Sequence, residues 1–176
     1  MTAAARDRLL VLLRHAKAEE GGWDADHERE LTDGGHADAR ATGEWLHLHD
    51  IGVDTVLCST ATRTQQTAEG IWNGGCAETD IHYDRRIYNG SADALLDVVR
   101  EVDEDADVVM VVGHAPGIPA LASLLAEGEG SGPAHDLMSQ GYPTSGIAVL
   151  HYAGRWADLT FGQARLERFH VGRAAH

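Results

Sequence analysis

An α/β fold, with three α/β/α layers around a central and mostly parallel sheet and one or two antiparallel strands at its C-terminal end, is predicted by three features of the 176-residue sequence. Apolar runs of strand length alternate with stretches of helical period along most of the chain. The strongest runs, LLVLL at 9–13 and DVVMVV at 107–112, show no polar alternation, as befits strands buried on both faces. Both stop abruptly on polar residues suited to chemistry, Arg14 and His15 in the first case and His114, after Gly113, in the second.

The elements follow in order. After the first strand, Thr32 reads as an N-cap for a helix over DGGHADARATGEWLHLHD, with Ala37, Ala41, Trp45 and Leu48 near one face. A strand, DTVLCS, and a helix, TRTQQTAEGIW, come next, then a short strand, DIHYD. SADALLDVVREV is a helix with Leu95, Val99 and Val102 on its core stripe. The run DVVMVV leads into a helix over PGIPALASLLAEG, with Pro116 near its start. Residues 128–142, GEGSGPAHDLMSQGY, have no period and many turn residues, so a long loop is expected. SGIAVLHY and WADLTFGQA then read as two strands joined through Gly154, an antiparallel pair at one side of the sheet. A single domain over residues 8–168 is expected, with residues 1–7 and 169–176 loose.

Hydrophobic residues make up 43% of the chain and charged residues 24%, the profile of a soluble globular protein. No segment is long and apolar enough to span a membrane, and the run at 9–13 is too short for a secretory core; a cytoplasmic protein with no membrane partner is expected. Cys58 and Cys76 lack metal-type spacing and read as reduced thiols. The net charge of −14 disfavours nucleic-acid binding, which needs a basic footprint. HLHD at 47–50 is not read as a metal site, because adjacent ligands at a helix end diverge and no second cluster completes a shell.

Three strand ends carry groups of matching chemistry: Arg14 and His15, the turn leading to Arg63, and His114. Ligands of open α/β sheets bind beyond the carboxyl ends of the strands, so these groups can meet. Two guanidinium forks and the N-terminus of the helix after Ser59 suit a phosphate. Taken singly, each residue is better explained as a surface, capping or turn residue. It is their company that points to an anion pocket with a nucleophile in it.

In these residues the sequence resembles the histidine phosphatase superfamily, also called phosphoglycerate-mutase-like. The opening signature is Arg14-His15-Ala16; the second is Ser59, Arg63, Gln66 and Thr67; the third is Gly113, His114 and Pro116; ELTDGG at 30–35 matches the Leu-Thr-x-x-Gly helix start. The likeness runs from about Leu9 to Leu150, and RHAKAE with the short length looks most like the small bacterial phosphohistidine phosphatases. The resemblance implies that His15 attacks phosphorus in line and that water then cleaves the phosphohistidine formed. Arg14 and Arg63 would hold the His15 pKa down, and with His114 they would neutralise the phosphoryl oxygens, each such donor being worth about 3–4 kcal/mol in the transition state. Arg14, His15, Arg63 and His114 are therefore the expected catalytic set, with Lys17 and Asn89 as further substrate-binding candidates and no metal or cofactor required.

One departure bears on substrate. Where many members carry a proton-donating Glu, this chain has DRRIYNGS, with Asn89 at the nearest position and Asp84 the other acid in the stretch. A missing acid fits a good leaving group, such as the imidazole of a phosphohistidine. The expected partner is thus a phosphorylated protein carrying phosphohistidine, or else a small phosphate ester. A catalytically weak phosphate- or phosphopeptide-binding domain and a small-molecule phosphomonoesterase are the alternatives. Little chain is left for a lid between Arg63 and His114, so an open, shallow pocket is expected, walled by the 128–142 loop and PTSG at 143–146.

Overall fold

The computed structural model describes residues 6–21 and 23–175. Its strands are β1 (Asp7–Arg14), β2 (Thr55–Cys58), β3 (Asp80–Tyr83), β4 (Val108–Gly113), β5 (Gly146–Ala153) and β6 (Arg165–Val171). Its helices are α1 (Asp33–Leu48), α2 (Thr62–Asn73), α3 (Ala92–Arg100), α4 (Gly117–Ala126) and α5 (Gly132–Ser139). Short 3-10 segments cover Trp23–Glu28, Arg85–Ile87 and Trp156–Asp158. The six strands form one sheet in the order β3-β2-β4-β1-β5-β6; β1, β2, β3 and β4 run parallel, while β5 and β6 are antiparallel additions. This is the mostly parallel sheet with an antiparallel C-terminal end that the sequence predicts.

The uninterrupted apolar runs are explained by cover on both faces. Leu10, Leu12, Val109 and Val111 point to one side, against Leu95, Val99, Ile118 and Leu121 of α3 and α4. Val11, Leu13, Met110 and Val112 point to the other, in the cluster that holds Leu46 of α1 and Ile71 of α2. Burying a leucine or valine fully is worth roughly 1.5–3 kcal/mol, so the central strands have no polar position to spare.

Helix α1 begins where expected: the Thr32 side chain accepts the Gly35 N–H at 2.9 Å. Its buried face differs from the predicted one. Gly35, Ala39, Thr42, Gly43 and Leu46 face inward, whereas Leu48 is 77% exposed. Close approach decides the face: a Cβ at Gly43 would lie 2.1 Å from the Ile71 carbonyl oxygen, and one at Gly35 2.1 Å from that of Lys17. Small residues make this contact, and a search for large apolar ones overlooks them.

Three further expectations are corrected. The presumed loop at 128–142 contains α5, whose N-cap Ser131 accepts the Ala134 N–H and whose first turn holds Pro133. WADLTFGQA is not a strand; Trp156 is a fully buried plug whose Nε1 donates to the Ala106 carbonyl at 2.7 Å. The second antiparallel strand is instead β6, RLERFHV, whose charges suit an exposed edge and conceal it in a hydrophobicity search. The segment 169–176, expected loose, carries the end of β6 as far as Val171, and beyond it Gly172 N–H donates to Ser145 O at 3.0 Å and Ala174 N–H to Asp38 Oδ1 at 2.9 Å. At the other end, Asp7 already pairs with Ala153, and Arg6 reaches Asp107; residues 1–5 lie outside those described.

Replacing Gly43 with Ala is expected to lower stability by about 1–3 kcal/mol in urea unfolding, because overpacking outweighs the ~1 kcal/mol gained in helix propensity. Gly34→Ala, whose nearest neighbour would be Thr32 Oγ1 at 3.8 Å, should be neutral or stabilising in the same measurement.

Candidate active site

Three parallel strands end at one level. The β1–β4 register pairs Arg14 with Gly113, and the ladder continues one step further as His15 N–H donates to Gly113 O at 3.0 Å. On the other flank of β4, Ser59 N–H donates to Val112 O at 3.0 Å. His15, Ser59 and His114 therefore leave the sheet side by side, and Arg63 joins them from the first turn of α2. Of the expected residues, the structure brings Arg14, His15, Arg63 and His114 together. The His15 and His114 rings lie 5.3 Å apart between centroids.

The other motif residues hold this arrangement in place. Thr67 Oγ1 accepts the Ala16 N–H at 3.0 Å and donates to Arg63 O at 2.7 Å, tying the turn after β1 to α2. The Gln66 side-chain Oε1 accepts the Leu31 N–H at 2.7 Å, fixing the approach to α1. Ser145 N–H is shared between the carbonyls of Arg14 and His15, at 3.1 and 3.0 Å. Arg14 donates to the Tyr142 carbonyl at 2.9 Å, and the Tyr142 hydroxyl donates to Leu12 O at 2.6 Å.

The His15 ring has a defined proton. Its Nδ1 is 2.7 Å from the Ala16 carbonyl oxygen, which can only accept, so Nδ1 carries the hydrogen and Nε2 keeps its lone pair. Burial pushes the His15 pKa down to about 4, helped by the charges of Arg63, Arg14 and Arg29 and opposed by the bond to Ala16. His114 is pushed down to about 3, again by burial first and then by Arg63 and His15. His114 Nε2 sits 2.8 Å from Ser59 Oγ, while its Nδ1 and the Nε atoms of Arg14 and Arg63 are buried with no protein partner. Unspent polar atoms of this kind, gathered about an uncharged imidazole, suit an anion with several acceptor oxygens.

Lys17 and Asn89 are not drawn into this cluster's contacts. Lys17 is exposed and contributes its carbonyl, which accepts the Thr32 N–H at 3.0 Å. Asn89 is exposed at φ 56°, a left-handed position that favours Asn for backbone reasons. Asp84 is committed elsewhere, capping the Arg85–Ile87 segment and pairing with Arg86 at 2.7 Å.

The sequence reading missed the cover. It comes from residues 25–28, ahead of α1, joined by Tyr88 from the span between Arg63 and His114. The Asp26 carbonyl accepts Arg63 NH1 at 2.8 Å, and its carboxylate accepts Arg63 NH2 at 3.3 Å, Arg29 Nε at 3.1 Å and the Tyr88 hydroxyl. The Tyr88 bond, and then Arg63 and Arg29, hold the Asp26 carboxyl below its ordinary range against the opposing effect of burial. Tyr88 stands edge-on to His114, with centroids 5.5 Å apart, and His27 packs on Tyr88 at 5.0 Å. Asp26 gave no signal in an acidic stretch, and Tyr88 was hidden beside the more suggestive Asn89. Beside Arg14 lies a cavity of about 660 Å³ lined by Leu137, Tyr142, Pro143 and Phe169, with α5 on one side; Arg14 is shared with the site, whereas His15, Arg63 and His114 do not line it.

Among the described residues no group of His, Cys, Asp or Glu is placed to hold a metal ion, and no helix is long and apolar enough to cross a membrane.

Comparison with known proteins agrees with this geometry. The family described as Histidine phosphatase superfamily (branch 1) matches residues 10–88. An uncharacterized protein of Mycobacterium tuberculosis is 40% identical over 164 residues, covering 92% of this chain and 100% of that one. A candidate phosphohistidine phosphatase SixA from Nakamurella multipartitia superposes with a TM-score of 0.84 at 37% identity, over 97% of this chain and 99% of that one. Its counterpart from Agrobacterium tumefaciens gives 0.78 at 28%, over 93% and 97%.

Both histidines have folded-state pKa values below the ordinary 6.5, so between pH 6.5 and 4 the unfolded chain binds more protons. Stability should therefore be full above pH 6.5 and fall as pH drops toward 5, still above the carboxylate range. The urea midpoint of His114→Asn should vary less with pH across that window than that of the wild type.

Proposed function

The chain belongs to the histidine phosphatase superfamily, and on that premise we propose that it removes phosphoryl groups from phosphohistidine in proteins through a covalent intermediate on His15. The observation that carries this reading is the state of the His15 ring: Nδ1 is spent on the Ala16 carbonyl, and Nε2 is a neutral lone pair beside Arg14, Arg63 and His114.

In the first step Nε2 bonds to phosphorus as the bond to the leaving group breaks. In the second, water attacks the same phosphorus and the electron pair returns to Nε2. A planar PO₃ group in flight is mostly negative charge, so fixed cations and buried donors are the main catalytic need. Arg14 and Arg63 supply two guanidinium groups, and His114, held by Ser59, supplies a third polar contact. The sequence of reactions uses no metal. The apolar cavity beside Arg14 gives the body of a substrate somewhere to lie, which favours a phosphoryl group carried on a larger molecule. Two buried, unlinked thiols at Cys58 and Cys76 suit a cytoplasmic setting for it.

Against a phosphohistidine peptide and p-nitrophenyl phosphate, His15→Ala is expected to lose at least about a thousandfold in kcat, and Arg63→Ala about 10²–10³. The wild type, quenched during turnover, should carry an acid-labile, base-stable phosphate on His15. Its kcat/KM for p-nitrophenyl phosphate should hold through pH 6.5 and not be lost to His15 protonation until near 4. Equal turnover by wild type and His15→Ala would end the proposal; tight phosphate binding without any phosphoenzyme would identify a binding domain instead.

A further inference from the structure

The site lacks a Glu at Asn89 to act as the proton donor that an alkoxide leaving group needs, and it holds a half-exposed carboxylate, Asp26, on the Arg63 guanidinium. We infer that Asp26 is a specificity residue which accepts a hydrogen bond from the N–H of a protonated phosphoimidazole leaving group, selecting phosphohistidine over phosphate esters. The inference rests on the reading above and names the residue that selects its substrate.

The geometry of Asp26 supports it. Its two oxygens take three donors: Arg29 on Oδ1, and Arg63 and Tyr88 on Oδ2. A carboxylate has about four acceptor positions, so one remains, and the side chain is 42% exposed, leaving that position open to a ligand. The same Arg63 that Asp26 grips is 4% exposed and contributes to the low pKa of His15, so the carboxylate stands at the rim of the phosphoryl site. A further negative charge there works against a dianionic ester or free phosphate competing for Arg63. It works in favour of a group that brings a positive charge with its phosphate.

A phosphohistidine protonated on its second ring nitrogen is such a group. As His15 Nε2 forms its bond to phosphorus, the substrate's P–N bond breaks and its electron pair stays on the departing nitrogen. The proton is already on the other nitrogen, so the imidazole leaves neutral. No acid has to donate; Asp26 only holds the N–H through the step. This also gives Asn89 and the occupied Asp84 a chemical context, because neither is required as a donor.

The test compares wild type, Asp26→Asn and Asp26→Glu on a phosphohistidine peptide and on p-nitrophenyl phosphate, with inorganic phosphate as inhibitor. The ratio of kcat/KM for peptide over ester should fall at least tenfold in Asp26→Asn and recover in part in Asp26→Glu. The inhibition constant for phosphate should fall in Asp26→Asn as the competing carboxylate is removed. If both substrates decline by one factor, Asp26 merely holds Arg63 and the inference is overturned. A wild type that cleaves the ester but not the peptide overturns the inference together with the phosphohistidine substrate proposed above and leaves the His15 phosphatase chemistry standing, whereas failure of that chemistry appears separately, as His15→Ala turning over like the wild type.

Discussion

The hydrogen bond from His15 N–H to the Gly113 carbonyl, 3.0 Å long, is the last rung of the β1–β4 ladder, and it sets the height at which the chemistry happens. Parallel strands in fixed register end together, and side-chain burial on both faces of β1 and β4 holds that register against slippage. A slip of one residue would turn Leu10 and Leu12 to the wrong layer. The same slip would carry His15 away from His114. Core packing and site geometry are thus one constraint, and the Ser145 N–H shared between the Arg14 and His15 carbonyls extends it to β5.

Electrostatics then work on a local scale against the global one. The chain carries a net charge of −14, yet Arg14, Arg29 and Arg63 are gathered about one buried imidazole. Burial keeps both histidines uncharged, and the nearby guanidinium groups reinforce it. A neutral nucleophile among cations is the combination that lets an anion approach without quenching the attacking lone pair. Asp26 tempers this field beside Arg63, where solvent still screens it, and the net negative charge of the chain works against indiscriminate capture of anions.

Much of this was legible in the sequence, for identifiable reasons. Strands β1 and β4 announce themselves because two-sided burial leaves only apolar residues, and the polar residues that end them mark the site. Arg14, His15, Arg63 and His114 are readable as neighbours from their places at and just beyond the strand ends. What escaped did so where the physical signal is weak. The buried face of α1 is built from glycine, alanine and threonine, which close approach selects and hydrophobicity does not. Strand β6 is an exposed edge whose charges mask its period, and α5 is a short helix signalled only by Ser131 and Pro133. Asp26 belongs to an irregular segment whose position depends on tertiary contacts with Arg63 and Tyr88, for which local sequence has no pattern.

That division has a consequence for how such a site can change its substrate. The proposed phosphoryl cradle rises from strand ends and the first turn of α2, elements locked by register and by Thr67 and Gln66. The surfaces that would meet the leaving group come instead from residues 25–28, Tyr88 and the turn before β5, which are irregular and more exposed. Rigid elements hold reacting groups to the small tolerances that transition-state stabilisation demands, while loops absorb substitution at little cost to the core. One constellation of two arginines and two histidines can therefore persist while its rim is rebuilt. The absence of a proton-donating Glu beside Asn89, together with an ionised Asp26, then reads as a rim adapted to a leaving group that supplies its own proton.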